Sequence, residues 1–136
     1  MENAEISSEQ MDELLQFLPA FENPDRAYVR EWAGAEPTSD GTLTFPYPIY
    51  CEDVLQFYAL AGQGCWSDFD YEPREAHEML SDDTFIAMAS IDQVRTMLTY
   101  CVRGERFGDG HWAHMLESGR IVAILRRLAA LRAELT

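Results

Sequence analysis

The stretch SGRIVAILRRLAALRAEL, residues 118–135, decides the class of the fold. At 100° per residue, Ile121, Ile124, Leu125, Leu128, Leu131 and Leu135 fall within an arc of about 120°, which marks a helix with one face in a core. Arg132 falls inside the same arc, so it either snorkels near the helix end or meets an acid from elsewhere in the chain. That apolar face needs a body to cover it. With 47% hydrophobic residues, three Trp, six Tyr and seven Phe in 136 residues, the chain has the material. A chain of this length fits one domain with one core, burying roughly two-thirds of the surface its unfolded form exposes.

Before this helix, Ser90 and Gln93 have capping-box spacing and open a helix whose apolar face is Ile91, Val94, Leu98, Cys101 and Val102, closed by Gly104. A short helix over His111–Glu117 follows, and Ser118 is the expected cap of the last helix. Upstream, Pro73 suits the first turn of a helix through Leu80, and Ser81 with Asp82 and Asp83 caps a short one through Ala89. Glu52–Ala61 reads as a helix burying Val54, Phe57, Tyr58 and Ala61, stopped at Gly62 or Gly64. At the start, Ser7 and Gln10 form a second capping box, and Met11, Leu14, Leu15 and Leu18 share a face over residues 8–18 until Pro19. A short helix is predicted over Asp25–Ala33 with Gly34 as its stop, and EPTSDG, residues 36–41, reads as a turn. Two strands are predicted. Thr42–Pro48 must be short and at an edge, because Pro46 and Pro48 cannot donate to a ladder. Cys65–Tyr71 is the other, pairing with it across the intervening helix. The expected fold class is therefore α+β and mostly helical, with about six helices and a small two-stranded antiparallel sheet in a single compact domain spanning 1–136.

The charge is unevenly spread. The chain carries −14 formally, and all ten of its positive side chains are arginine. Genome composition or salt adaptation accounts for missing lysines, but not for distribution. Residues 1–92 hold twenty acids against Arg26, Arg30 and Arg74, whereas residues 93–136 hold four acids against seven arginines. An acidic region over residues 1–92, backed by a neutral-to-basic helical region over residues 93–136, predicts a negative face on a helical support.

Chemistry-bearing motifs are sparse. There is no GxSxG, P-loop, GxGxxG or HExxH, so nothing points to an enzyme or a cofactor. His111 and His114 are three apart with Asp109 nearby, a spacing metal ligands use, but two histidines beside Trp112 more often pack or cap, and no metal is expected. Cys51, Cys65 and Cys101 are far apart and odd in number, which argues against a disulfide framework or thiolate zinc site and for a reducing cytoplasm. No secretory leader or membrane span is recognised. Direct nucleic-acid binding is disfavoured, because a polyanion needs positive potential. The arginines of the last third are expected to pair with the acids in front of them.

The densest acid lies between Trp66 and Asp83, where Asp68, Asp70, Glu72, Glu75, Glu78, Asp82 and Asp83 are opposed only by Arg74. If 66–72 is extended, Trp66, Asp68, Asp70 and Glu72 share one face and Phe69 and Tyr71 the other. Successive carboxylates then lie roughly 6.6–6.8 Å apart, commensurate with one phosphate charge per about 3.4 Å of a DNA strand.

The segments Leu98-Thr99, Arg103-Gly-Glu-Arg-Phe, Leu116-Glu-Ser-Gly and Ile124-Leu, with Phe45-Pro-Tyr-Pro-Ile-Tyr, resemble an uncharacterised bacterial domain-of-unknown-function family. The resemblance covers most of the chain and implies a compact, mostly helical domain with no catalytic residues to transfer. In size, charge and its segregation the chain also resembles small acidic phage-encoded anti-CRISPR proteins and other DNA mimics, a likeness of character without a defining motif.

The expected function is a non-enzymatic acidic inhibitor that mimics DNA and occludes a basic nucleic-acid-binding partner, such as a CRISPR effector subunit. Asp68, Asp70, Glu72, Glu75 and Glu78 form the row, Glu52, Asp53, Asp82 and Asp83 extend it, and Trp66 or Tyr71 anchors it. The alternative is a bacterial or mobile-element ligand- or protein-binding module using an apolar groove or the His111/His114 region. The chain is expected as a monomer, or as a dimer through its less acidic helical region, since two such negative faces repel.

Overall fold

The computed structural model describes residues 6–34, 41, 47–106 and 110–135. In chain order these form α1 (Ser8–Leu15), α2 (Leu18–Phe21), β1 (Val29–Ala33), β2 (Tyr47–Tyr50), α3 (Glu52–Ala61), α4 (Pro73–Leu80), α5 (Asp83–Ala87), α6 (Ile91–Arg103), α7 (His111–Glu117) and α8 (Arg120–Ala133). Short 3-10 turns at Gly64–Trp66 and Gly104–Arg106 follow α3 and α6. The class is α+β and mostly helical, as expected. Of the eight α-helices among the described residues, α2 and α5 are a single turn or little more.

α8 packs against α1, α2, α5, α6 and α7. Its Ile121, Ile124, Leu125 and Leu128 are fully buried, Leu131 is partly buried, and Leu135 beyond the helix is exposed. α6 supplies Val94, Met97, Leu98 and Cys101 to the same contiguous core. Both capping boxes form: Ser7 accepts from the Gln10 amide and Ser90 from the Gln93 amide, with each glutamine side chain returning to the cap's N–H. These local devices stop the helix starts from drifting.

Four sequence readings are corrected. The stretch Asp25–Ala33 is not a helix: its second half is β1, antiparallel to β2 with Trp32 opposite Pro48 and Ala33 opposite Tyr47. Tyr28, Val29 and Trp32 favour a strand, and the Asn23 side chain, accepting from the Asp25 amide at 3.0 Å, turns the chain first. Cys65–Tyr71 is not a strand but a 3-10 turn followed by a bend, so it is not the partner of β2. The predicted helix over 8–18 breaks after Leu15, and Pro19 sits in the first turn of α2, where its missing N–H costs nothing. Ser118 closes α7 rather than opening α8, whose N-cap is Gly119 at φ 81°. Thr42–Pro46 of the predicted first strand, and all of the predicted 36–41 turn except Gly41, lie outside the described residues.

Candidate functional site

The acids of the segment 66–83 come together differently from an extended row. Asp68 is drawn inward: its carboxylate accepts from the Thr96 hydroxyl at 2.8 Å and the Asp70 amide at 3.1 Å, while its own amide donates to the Thr99 hydroxyl at 2.8 Å. That hydroxyl pins the turn and reverses the expected facing. Trp66 is 1% exposed and belongs to the core, whereas Phe69 is 73% exposed. Trp66 is therefore no anchor for a partner.

Glu72 caps α4 by accepting from the Arg74 amide, and Asp82 caps α5 by accepting from the Thr84 and Phe85 amides. Both carboxylates lie at a helix start, where the dipole favours a negative charge. Glu72, Glu75 and Glu78 recur every third residue, which on a helix places neighbouring side chains about 5–6 Å apart. The buried face of α4 is Ala76 and Leu80, so Glu75 and Glu78 point to solvent. Asp70 and Asp83 are exposed too, and the sole cation in the group, Arg74, stands 3.9 Å from Glu78 in an exposed pair worth little. The observed site is thus a helical ridge of carboxylates on α4 and the start of α5. Tyr71 is half-buried beneath Arg103, whose guanidinium lies 5.2 Å from the ring centre.

Of the proposed extensions, Glu52 is exposed in the first turn of α3. Asp53 is committed to a forked pair with Arg26, one arm of which measures 3.0 Å, and the guanidinium holds this carboxyl below its ordinary value. Arg26 also lies over the rings of Phe21 and Tyr28.

Two of the four arginines of α8 pair with acids, as expected, and two hold backbone carbonyls instead. Arg126 meets Glu22 at 2.8 Å and Arg132 meets Asp12 at 3.1 Å, which settles the place of Arg132 within the apolar arc. Arg120 donates to the Leu80 carbonyl at the end of α4 at 3.0 Å, and Arg127 to the Ala89 carbonyl just past α5 at 2.7 Å. Cations at helix C-termini satisfy orphan carbonyls and oppose the dipole. The basic last helix therefore straps down the two short helices that carry the acid.

A second polar cluster surrounds Glu105. Its carboxylate accepts from the Tyr50 hydroxyl at 2.8 Å, the Trp112 amide at 2.9 Å and the Gly110 amide at 3.2 Å. Gly110, at φ 93°, lets the chain enter α7 there. His111 is half-buried against Gly104, where an added Cβ would stand 2.1 Å from the ring, and meets Tyr100 edge-on. Tyr100 in turn lies 3.3 Å from His77.

The model of a family of unknown function, DUF6508, matches residues 6–134. The chain belongs to the DUF6508 family. No curated protein and no solved structure matches it. In this DUF6508 chain the two histidines of α7 differ in setting: the His111 Nε2 is buried and His114 is exposed. Among the described residues no group of three His, Cys, Asp or Glu is placed to hold a metal, and Asp109 lies outside them. No helix among them is long and apolar enough to cross a membrane. Cys101 is wholly buried, which pushes its thiol up to about 12 and keeps it protonated.

Sequence reasoning missed Glu105, which entered only within the segment Arg103-Gly-Glu-Arg-Phe. The signal was Gly104 and Gly110 flanking it, two residues that allow the close approaches the cluster needs. Burial also holds the His111 ring below its ordinary value, opposed by Glu105 and reinforced by His114. A depressed histidine favours the neutral ring in the fold. Its stabilising contribution is fully present above the unfolded value of about 6.5 and is lost as pH falls through that value toward the folded one. The melting temperature is expected to drop as pH falls below about 6.5, and His111→Gln is expected to flatten the drop. A slope unchanged by the substitution would assign the acid sensitivity to other groups.

Proposed function

We propose that this chain is a non-enzymatic acidic binding protein that docks on the basic, nucleic-acid-binding surface of a protein partner and occludes it as DNA would. A CRISPR effector subunit is a partner of that chemistry. One observation supports this reading most: Glu75, Glu78, Asp70 and Asp83 stand exposed beside the capping carboxylates Glu72 and Asp82, with Arg74 alone among them. The arginines of α8 that could neutralise this ridge are instead engaged with Glu22, Asp12 and two backbone carbonyls. Carboxylates so arranged raise the rate of encounter with a basic groove more than they add contact energy.

Charge reversal is informative only at acids that hold no local structure. Arg at Asp68 or Glu72 would destroy a turn or a cap, so a loss of binding there would be ambiguous. Glu75, Glu78 and Asp83 make no capping bond, and the variant E75R/E78R/D83R should fold. Capture from cells containing CRISPR effectors and other DNA-binding proteins, at about 50 and 300 mM salt, tests partner and physics together. The parent is expected to retain a basic partner at low salt and release it at high salt, with association slowed about tenfold or more by the reversal. Equal capture by parent and variant at low salt would reduce the ridge to a solvated face.

A further inference from the structure

A cleft of about 300 Å³ opens between the end of α3 and the last turns of α6, lined by Ala61, Gly62, Gly64, Phe69, Val102 and Arg103, with Ser67 and Thr99 at its wall. The two hydroxyls are already spent: Ser67 donates to the Gln63 carbonyl, and Thr99 donates within α6 while accepting from Asp68. Arg103 is different. Among the described residues it has no carboxylate within 4 Å, although Asp68 and Asp70 flank Phe69 in sequence, because Asp68 is turned to Thr96 and to the Asp70 amide. Its guanidinium is instead held by ring faces, 5.2 Å from Tyr71 and 6.0 Å from Phe69. In a chain with 24 acids, an arginine kept away from every described carboxylate and set at a cleft is an unspent five-donor group.

We propose that this cleft binds a small molecule carrying one anionic group, carboxylate or phosphate, on a flat apolar body. Arg103 takes the anion, since its planar fork matches both groups. Phe69, exposed at the mouth, supplies a face for the body, and Ala61 and Val102 form the apolar floor. Gly64 leaves the entrance open: a Cβ there would meet nothing within 4 Å. The volume is at the small end for ligand pockets and suits a single ring with one substituent. The site is separate from the ridge of Glu75, Glu78 and Asp83, so either can fail without the other.

The test is a titration followed by amide and guanidinium resonances at about 0.15 M salt, where repulsion from acids beyond about 8 Å is screened. The probes are benzoate and phenyl phosphate, with benzyl alcohol and benzylamine as neutral and cationic counterparts. Saturable shifts at Gly62, Gly64, Phe69 and Arg103 are expected with at least one of the anions. Affinity should fall about tenfold in Arg103→Gln, the loss of one charge-assisted contact. Gly64→Leu should abolish the shifts by filling the entrance, and because its backbone needs no left-handed conformation it serves should Arg103→Gln fail to fold. Failure of both anions to saturate, equal affinity for benzylamine or benzyl alcohol, or undiminished binding by either variant when folded would overturn the assignment.

Discussion

Phe57→Ala is expected to destabilise the protein by about 3–5 kcal/mol, the upper range for truncating one core side chain. Phe57 is fully buried on α3, with the rings of Phe17 at 5.7 Å, Phe21 at 5.3 Å and Tyr58 at 5.2 Å, all nearly perpendicular to it. Edge-to-face pairs add to area burial, and here they join α3 to α2 and to the residue before it. Tyr58 then stacks on Trp112 at 4.2 Å, which extends the same cluster to α7. Truncation leaves a hole whose walls belong to separate helices, so collapse cannot fill it cheaply. Urea unfolding should show a lower midpoint at an unchanged slope. A loss below about 1.5 kcal/mol would mean that the cluster repacks.

Glu105→Ala should cost about 2–4 kcal/mol, although Glu105 is only partly buried. Three donors lose their acceptor at once: the Tyr50 hydroxyl from β2 and the amides of Gly110 and Trp112 at the start of α7. Hydrogen bonds to a charged acceptor are the stronger kind, and donors left without one carry a desolvation cost. Glu105→Gln keeps one acceptor oxygen and should recover part of the loss. The distinguishing readout is local: amide exchange at Trp112 and Ala113 should accelerate more than in the core of α8. Exchange at Trp112 matching the parent would show that the carboxylate does not hold that amide.

The helices were legible where their signals are local. Ser7 with Gln10, Ser90 with Gln93 and the apolar arc of α8 each encode structure within one or two turns, and each forms. The sheet was legible only as a sheet. Tyr28, Val29 and Trp32 satisfy a helical spacing as well as a strand's, and what decides between them is β2, more than a dozen residues downstream. The alternation rule puts Trp66 on the acid face only if the segment is extended, and the Thr99 hydroxyl on α6 bends it instead. The acid ridge was found by counting, yet its geometry required α4. The cleft beside Arg103 was invisible, because the turn of Asp68 away from it depends on Thr96, twenty-eight residues on.

Charge segregation along the chain now has two physical components. One is pairing within the chain, the seam where Arg126 and Arg132 meet Glu22 and Asp12 and where Arg120 and Arg127 close α4 and α5. The other is the exposed ridge on those same two helices, which the proposed function uses; Glu9, Glu13, Asp25, Glu31 and Glu52 are exposed as well.

The most direct measurement is competition: labelled duplex DNA is bound to the captured basic partner, and the chain is titrated in while anisotropy is followed. If the ridge occupies the DNA groove, the chain displaces the duplex in a mutually exclusive manner, displacement weakens as salt rises, and E75R/E78R/D83R displaces poorly. Simultaneous binding of DNA and chain, or equal displacement by the reversed variant, would contradict it.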